Sequence, residues 1–138
     1  MKTKLIFFIV LAFTINLCRA QEMQIKSIEA LNSDISARTN PCYDINGDPC
    51  ALIKVNLAVP NAGFEGNVIK VIPKEGQYWV YMTAGSKSLI VNQPMLLPCK
   101  IDFMSNGIAK LTEKSTYSVT ITIPEGLLIT ILETNINK

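Results

Sequence analysis

The sequence predicts an all-β chain, a single small antiparallel β-sandwich of prealbumin-like or immunoglobulin-like type, and three observations carry that expectation. Tyr78, Trp79, Val80, Tyr81 and Met82 follow one another, and Leu89, Ile90 and Val91 come after Thr83-Ala84-Gly85-Ser86. Aromatic and β-branched residues favour strands, and Gly85 supplies the positive φ of a tight turn, so this stretch reads as a hairpin. Residues 115–123 alternate, with Tyr117, Val119, Ile121 and Ile123 on one side and Ser118, Thr120 and Thr122 on the other. A period of two marks a strand with one buried face. Finally, apolar stretches of roughly six to nine residues recur between Gly, Pro and Asn turns, the spacing of a sandwich or barrel.

The first twenty residues read as a signal peptide. Lys2 and Lys4 precede an apolar run from Leu5 to Phe13, and Cys18-Arg19-Ala20 resembles a small-x-small cleavage site. Nine apolar residues fall well short of the ~20 that cross a bilayer. The expectation is cleavage after Ala20 and export to the periplasm, the cell surface or the medium, with one β domain over residues 21–138. Losing Lys2, Lys4 and Arg19 takes the basic count from 13 to 10 against 11 acidic residues, a net charge of −1. Nucleic-acid and anionic-membrane binding call for clustered Lys and Arg, so neither partner fits, and a membrane enters only through export.

Taken in order, residues 24–30 read as a first strand, with an opening helix as the alternative. Cys42 to Cys50 spans a turn centred on Asn46-Gly47. Residues 51–59 alternate, with Ala51, Ile53, Val55, Leu57 and Val59 on the core side and Leu52, Lys54 and Asn56 opposite. Phe64 leads into a short strand over residues 67–72 that Pro73 ends. Pro94 and Pro98 make residues 95–97 a bend or edge segment, after which Cys99, Ile101 and Phe103 share a face. Residues 105–107 turn, and after Pro124 a last strand is expected from Leu127 to Leu132.

Several pieces in order carry a resemblance: residues 43–55 with Asn46-Gly47 and Ala51 to Val55, then Gly63-Phe64-Glu65-Gly66-Asn67, then Tyr78 to Met82 with Gly85-Ser86-Lys87, and Pro94. Together they resemble the PEGA-like β-sandwich modules of Gram-negative envelope proteins, over about Ile28 to Ile123. The resemblance implies a small sandwich at the front of larger surface or periplasmic proteins, without catalysis in the module itself. Pro124-Glu125-Gly126 lies far from the site that names the family, and Cys42 and Cys99 fall where the family carries no cysteines.

The chain contains no histidine, which removes the commonest general base and metal ligand. The expected function is a non-enzymatic envelope module for protein interaction or structural spacing, its partner an envelope protein or a glycan. Trp79 and Tyr81 share a strand face opposite Tyr78, Val80 and Met82, and as surface aromatics they would stack on sugar rings. A glycosidase needs only two carboxylates, for which Asp44, Asp48, Glu65, Glu75 and Asp102 are the candidates, though most sit beside Gly, Asn or Pro as turn residues do. Asp44, Asn46 and Asp48 hint at a calcium loop, but Pro49 and Val55 stand where that loop needs Gly and Glu. No cofactor or metal is therefore expected. Three cysteines remain after cleavage, an odd number in an oxidising compartment. A three-residue loop at Ile45-Asn46-Gly47 would set Cys42 opposite Cys50, close enough to bridge, with Cys99 a buried thiol; a two-residue loop would set Cys42 opposite Ala51.

Overall fold

Strands with one apolar side need a second layer to cover it. In the computed structural model, which describes residues 22–136, two sheets contribute to one apolar core. The expected signal peptide lies outside the described residues. The elements are β1 (Gln24–Ala30), α1 (Ser36–Thr39), β2 (Ala51–Asn56), β3 (Gly63–Glu65), β4 (Val68–Lys74), β5 (Gln77–Met82), β6 (Ser88–Gln93), β7 (Leu96–Asp102), β8 (Thr116–Thr122) and α2 (Glu125–Ile136), with a 3-10 turn at Met104–Asn106. One sheet has the order β1-β8-β2-β5-β4 and the other β3-β6-β7. Ala51, Ile53 and Val55 of β2, Val80 and Met82 of β5, Leu89 and Val91 of β6, Ile101 of β7 and Val119 of β8 bury together in the core. The inward faces of β2, β7 and β8 are those the alternation predicts.

The aromatic stretch is corrected. Its turn forms, with the Ser86 amide donating to the Thr83 carbonyl at 3.2 Å and Gly85 at φ 83°, but β5 and β6 do not pair. Both edges of β5 are occupied, one by β2 and the other by β4. The chain after the turn finds no free edge on β5 and crosses to the other sheet, where β6 pairs with β3 and β7. The arrangement is also not wholly antiparallel, because β8 inserts between β1 and β2 and runs parallel to β2.

The expected strand at Leu127 to Leu132 is a helix. A strand would put Leu127, Ile129 and Ile131 on one face. Instead Ile131 is fully buried, Ile129 is 55% exposed, and Leu127 and Leu128 pack beside the core. Their spacing of three and four is the helical period. The Leu127 and Leu128 amides donate to the Pro124 carbonyl at 3.1 and 3.0 Å, starting the helix where proline lacks a donor of its own. Smaller differences have local causes. β2 ends at Asn56, although Leu57 and Val59 stay buried, and residues 63–65 form an edge strand. β4 runs through Pro73 because it is an edge, where a missing amide donor is tolerated.

Each edge strand carries a feature that hinders strand addition. β1 bulges at Lys26 and β4 at Ile69, where the register slips by one residue. β4 adds Lys70, Pro73 and Lys74, β7 carries Pro98 and Lys100, and β3 is three residues long. A parallel bridge from Glu22 to Leu97 joins the segment leading into β1 to the edge of β7.

Ile131→Ala is expected to lower unfolding stability by roughly 2–5 kcal/mol as a buried truncation, whereas Ile129→Ala stays within about 0.5 kcal/mol. Urea denaturation of both variants checks this. Similar losses for the two would favour a strand.

Candidate functional site

Because β-strand side chains alternate, strands in register lay their outward residues in rows across the sheet. The outer face of the five-stranded sheet carries three such rows. In the first, Thr116, Leu52 and Tyr81 align across β8, β2 and β5. In the second, Glu29, Ser118, Lys54, Trp79 and Ile72 run from β1 to β4, and in the third Ser27, Thr120, Asn56, Gln77 and Lys74 do the same.

The first row is covered. Leu52 and Tyr81 bury with Cys50 and Ala37 in a second apolar cluster, against which Cys42, Ile72 and Trp79 pack. The Tyr81 hydroxyl donates to the Asn40 carbonyl at 2.7 Å, tying the segment after α1 onto the sheet. The Ala37 amide donates a hydrogen bond to the Thr116 hydroxyl oxygen at 3.3 Å. Burial pushes the Tyr81 phenol pKa upward. Tyr81 is thus 2% exposed and is no part of an open stacking platform, contrary to the sequence expectation, because the chain between β1 and β2 folds back over it.

The second and third rows are open and tied together. Asn56 donates from Nδ2 to the Ser118 and Thr120 hydroxyls at 3.2 and 3.3 Å, and accepts from Gln77 Nε2 at 2.7 Å. Trp79 Nε1 donates to Gln77 Oε1 at 2.8 Å. This relay fixes the indole in one orientation, half-buried. The Lys54 and Lys74 ammonium groups lie 4.8 and 4.6 Å from its ring centre, within cation–π range. A sugar stacking on Trp79 would have to displace a lysine.

Lys54 is anchored from the other side by Asp34 Oδ2 at 2.6 Å and Ser36 Oγ at 2.9 Å. Burial works against the charge on Asp34. The hydrogen bonds from Lys54 and from the Ser36 hydroxyl and amide outweigh it and lower the pKa from 3.8 to about 2. Beyond α1 a polar groove of about 350 Å³ is lined by Asp34, Arg38, Glu113, Lys114 and Thr116. At another part of the surface Gly85, Phe103, Met104, Ile108 and Lys110 line a more apolar groove of about 540 Å³.

The carboxylates weighed for hydrolysis serve turns where their bonds are visible. Asp44 Oδ1 accepts from the Asn46 and Asp48 amides at 2.9 and 3.0 Å, and Asp102 Oδ1 from the Ser105 amide at 3.1 Å. Among the described residues no group of three His, Cys, Asp or Glu side chains is placed to hold a metal ion.

The turn at Ile45-Asn46-Gly47 is the three-residue form. Asp44 donates its amide to the Asp48 carbonyl at 2.9 Å, Gly47 has φ 84°, and the Cys50 amide donates to the Cys42 carbonyl at 2.8 Å. Cys42 and Cys50 therefore face each other directly, as free thiols. Burial first, then the neighbouring Cys42 and Asp44, pushes the Cys50 thiol up to about 12. Cys99 is buried in the main core, on the other side of the sheet from Cys50. Its thiol pKa is also raised by burial.

Comparison with protein-family models, curated proteins and solved structures found no match for this chain.

Asp34→Asn is expected to destabilise the protein at neutral pH by on the order of 1 kcal/mol, as for a favourable pair near the surface. The folded pKa lies below the unfolded one, so this stability is present above about pH 4 and lost as pH falls toward 2. Wild type and variant should converge across that window in urea midpoints measured against pH; a constant gap would place the effect elsewhere.

Proposed function

We propose that this chain is a non-enzymatic, exported envelope module, a β-sandwich of PEGA-like kind that holds or spaces partner proteins through a sheet face rather than a sheet edge. The observation that carries the reading is the contrast between edges and face. Bulges, prolines, lysines and brevity obstruct strand addition at every edge, while two polar rows lie open and held by side-chain hydrogen bonds across three strands. A surface already ordered by its own bonds loses little side-chain entropy on docking, which favours recognition by a protein. Trp79, ringed by Lys54, Lys74 and Gln77, combines the aromatic and polar character typical of binding hot spots.

The test is crosslinking of the purified protein, as bait, in envelope extract. Wild type is expected to capture a discrete partner, Trp79→Ala with Asn56→Ala to lose it at least tenfold, and Lys100→Glu on the β7 edge to retain it. Recovery of nothing by folded wild type counts against the module, and loss only with the edge variant points to strand addition instead.

Carbohydrate binding is the second reading, favoured by the half-buried Trp79 beside the Gln77 and Asn56 amides. It requires the lysines to leave the ring. A glycan array with wild type and folded Trp79→Ala decides it, since no binding by wild type ends the idea.

A further inference from the structure

Cys42 and Cys50 form a pair with unequal access. Cys42 is partly exposed, whereas Cys50 is 2% exposed and sits beneath it in the cluster with Leu52 and Tyr81. The Cys50 amide donates to the Cys42 carbonyl at 2.8 Å, and two residues further on the Asp44 amide donates to the Asp48 carbonyl, so the turn holds Cys42 and Cys50 opposite each other. In a hydrogen-bonded antiparallel pair the Cα atoms stand about 5.5 Å apart, within the roughly 4.4–6.8 Å that a disulfide spans. Cys99 is excluded as partner to either, because the five-stranded sheet lies between the two apolar clusters.

We infer that Cys42 and Cys50 are a dithiol modification site whose oxidation to a disulfide clasps the α1 segment onto β2. The oxidant is a small or protein disulfide of the glutathione-disulfide or oxidised-dithiol class. Cys42, the accessible residue, attacks as thiolate and breaks the donor S–S bond, releasing one donor thiolate that takes up a proton. Cys50 then gives its proton to solvent and attacks the Cys42 sulfur of the mixed disulfide, releasing the second donor thiolate, which is protonated in turn. The balance is two cysteine S–H bonds lost, one S–S bond formed, and one donor disulfide reduced to two thiols.

The consequence reaches the candidate face. Cys42 follows Asn40, which receives the Tyr81 hydroxyl, and Ser36, which with Asp34 holds Lys54 over Trp79. In the reduced protein that segment is held by those bonds and by the Ala37 amide. The bridge closes a loop of nine residues, which in the chain-entropy model shifts the folding equilibrium by roughly fifty- to hundredfold.

The experiment equilibrates the full protein in glutathione redox buffers, then applies alkylation, non-reducing peptide mapping and amide exchange. The expected result is one linked pair containing Cys42 and Cys50, with Cys99 alkylated after unfolding. Exchange over residues 34–44 should slow severalfold on oxidation while residues 96–102 stay unchanged. Cys42→Ala, at a site already partly exposed, should show the reduced-state exchange in every buffer. A link containing Cys99, a disulfide between two chains, alkylatable thiols at both Cys42 and Cys50 under oxidising conditions, or equal exchange in oxidised wild type and Cys42→Ala each overturns the proposal.

Discussion

The fold depends on β2 being buried on both sides. Ala51, Ile53 and Val55 have no exposure on the core side, and Leu52 has none on the other, where α1 and Tyr81 cover it. A strand in that position cannot be an edge, since unpaired backbone groups would be buried without partners. It therefore takes β5 on one flank and β8 on the other. Once β5 has β2 and β4 as neighbours, the corner at residues 83–86 has to carry the chain into the second sheet. The two-sheet arrangement follows from that saturation more than from any special turn chemistry.

The outer face is organised by the same strand. Lys54 and Asn56 occupy its outward positions beyond Leu52, and each links strands that are distant in sequence. Asn56 joins β8 to β5 through its amide, while Lys54 joins the β1–β2 connection to Trp79. The half of β2 nearer Cys50 is sealed by apolar cover and the other half is open and polar. This asymmetry places the candidate surface beside α1.

Much of this was legible in the residues alone. The alternation at 115–123 and 51–55 gave the correct inward faces, and Gly47 with Asn46 marked a turn that proved to be the three-residue form. What the sequence could not supply was partnership. Trp79 and Tyr81 share a face in any strand, but only the return of residues 36–42 over that face decides that one is covered and the other is not. Likewise the polar row of Gln77, Asn56 and Thr120 is scattered over three strands and exists only through register. Residues 127–132 failed for a different reason. A stretch that is apolar everywhere but Thr130 has no period to distinguish strand from helix, so the packing of Ile131 settled what local pattern left open.

The parallel pairing of β8 with β2 has a consequence in time. β1 pairs with β8 and with no other named strand, and its partners run from Tyr117 to Thr122. During synthesis, at about 5–20 residues per second, β1 therefore stays without a neighbour until almost the whole β domain has emerged. Hairpin-like contacts between β4 and β5 can form early, but the five-stranded sheet closes only when segments some 64 residues apart, such as Leu52 and Thr116, meet. Such long-range closure is slow relative to local pairing. A chain with this wiring leaves β1 unpaired until β8 arrives, so the strand that is made first is the last to lock into the sheet.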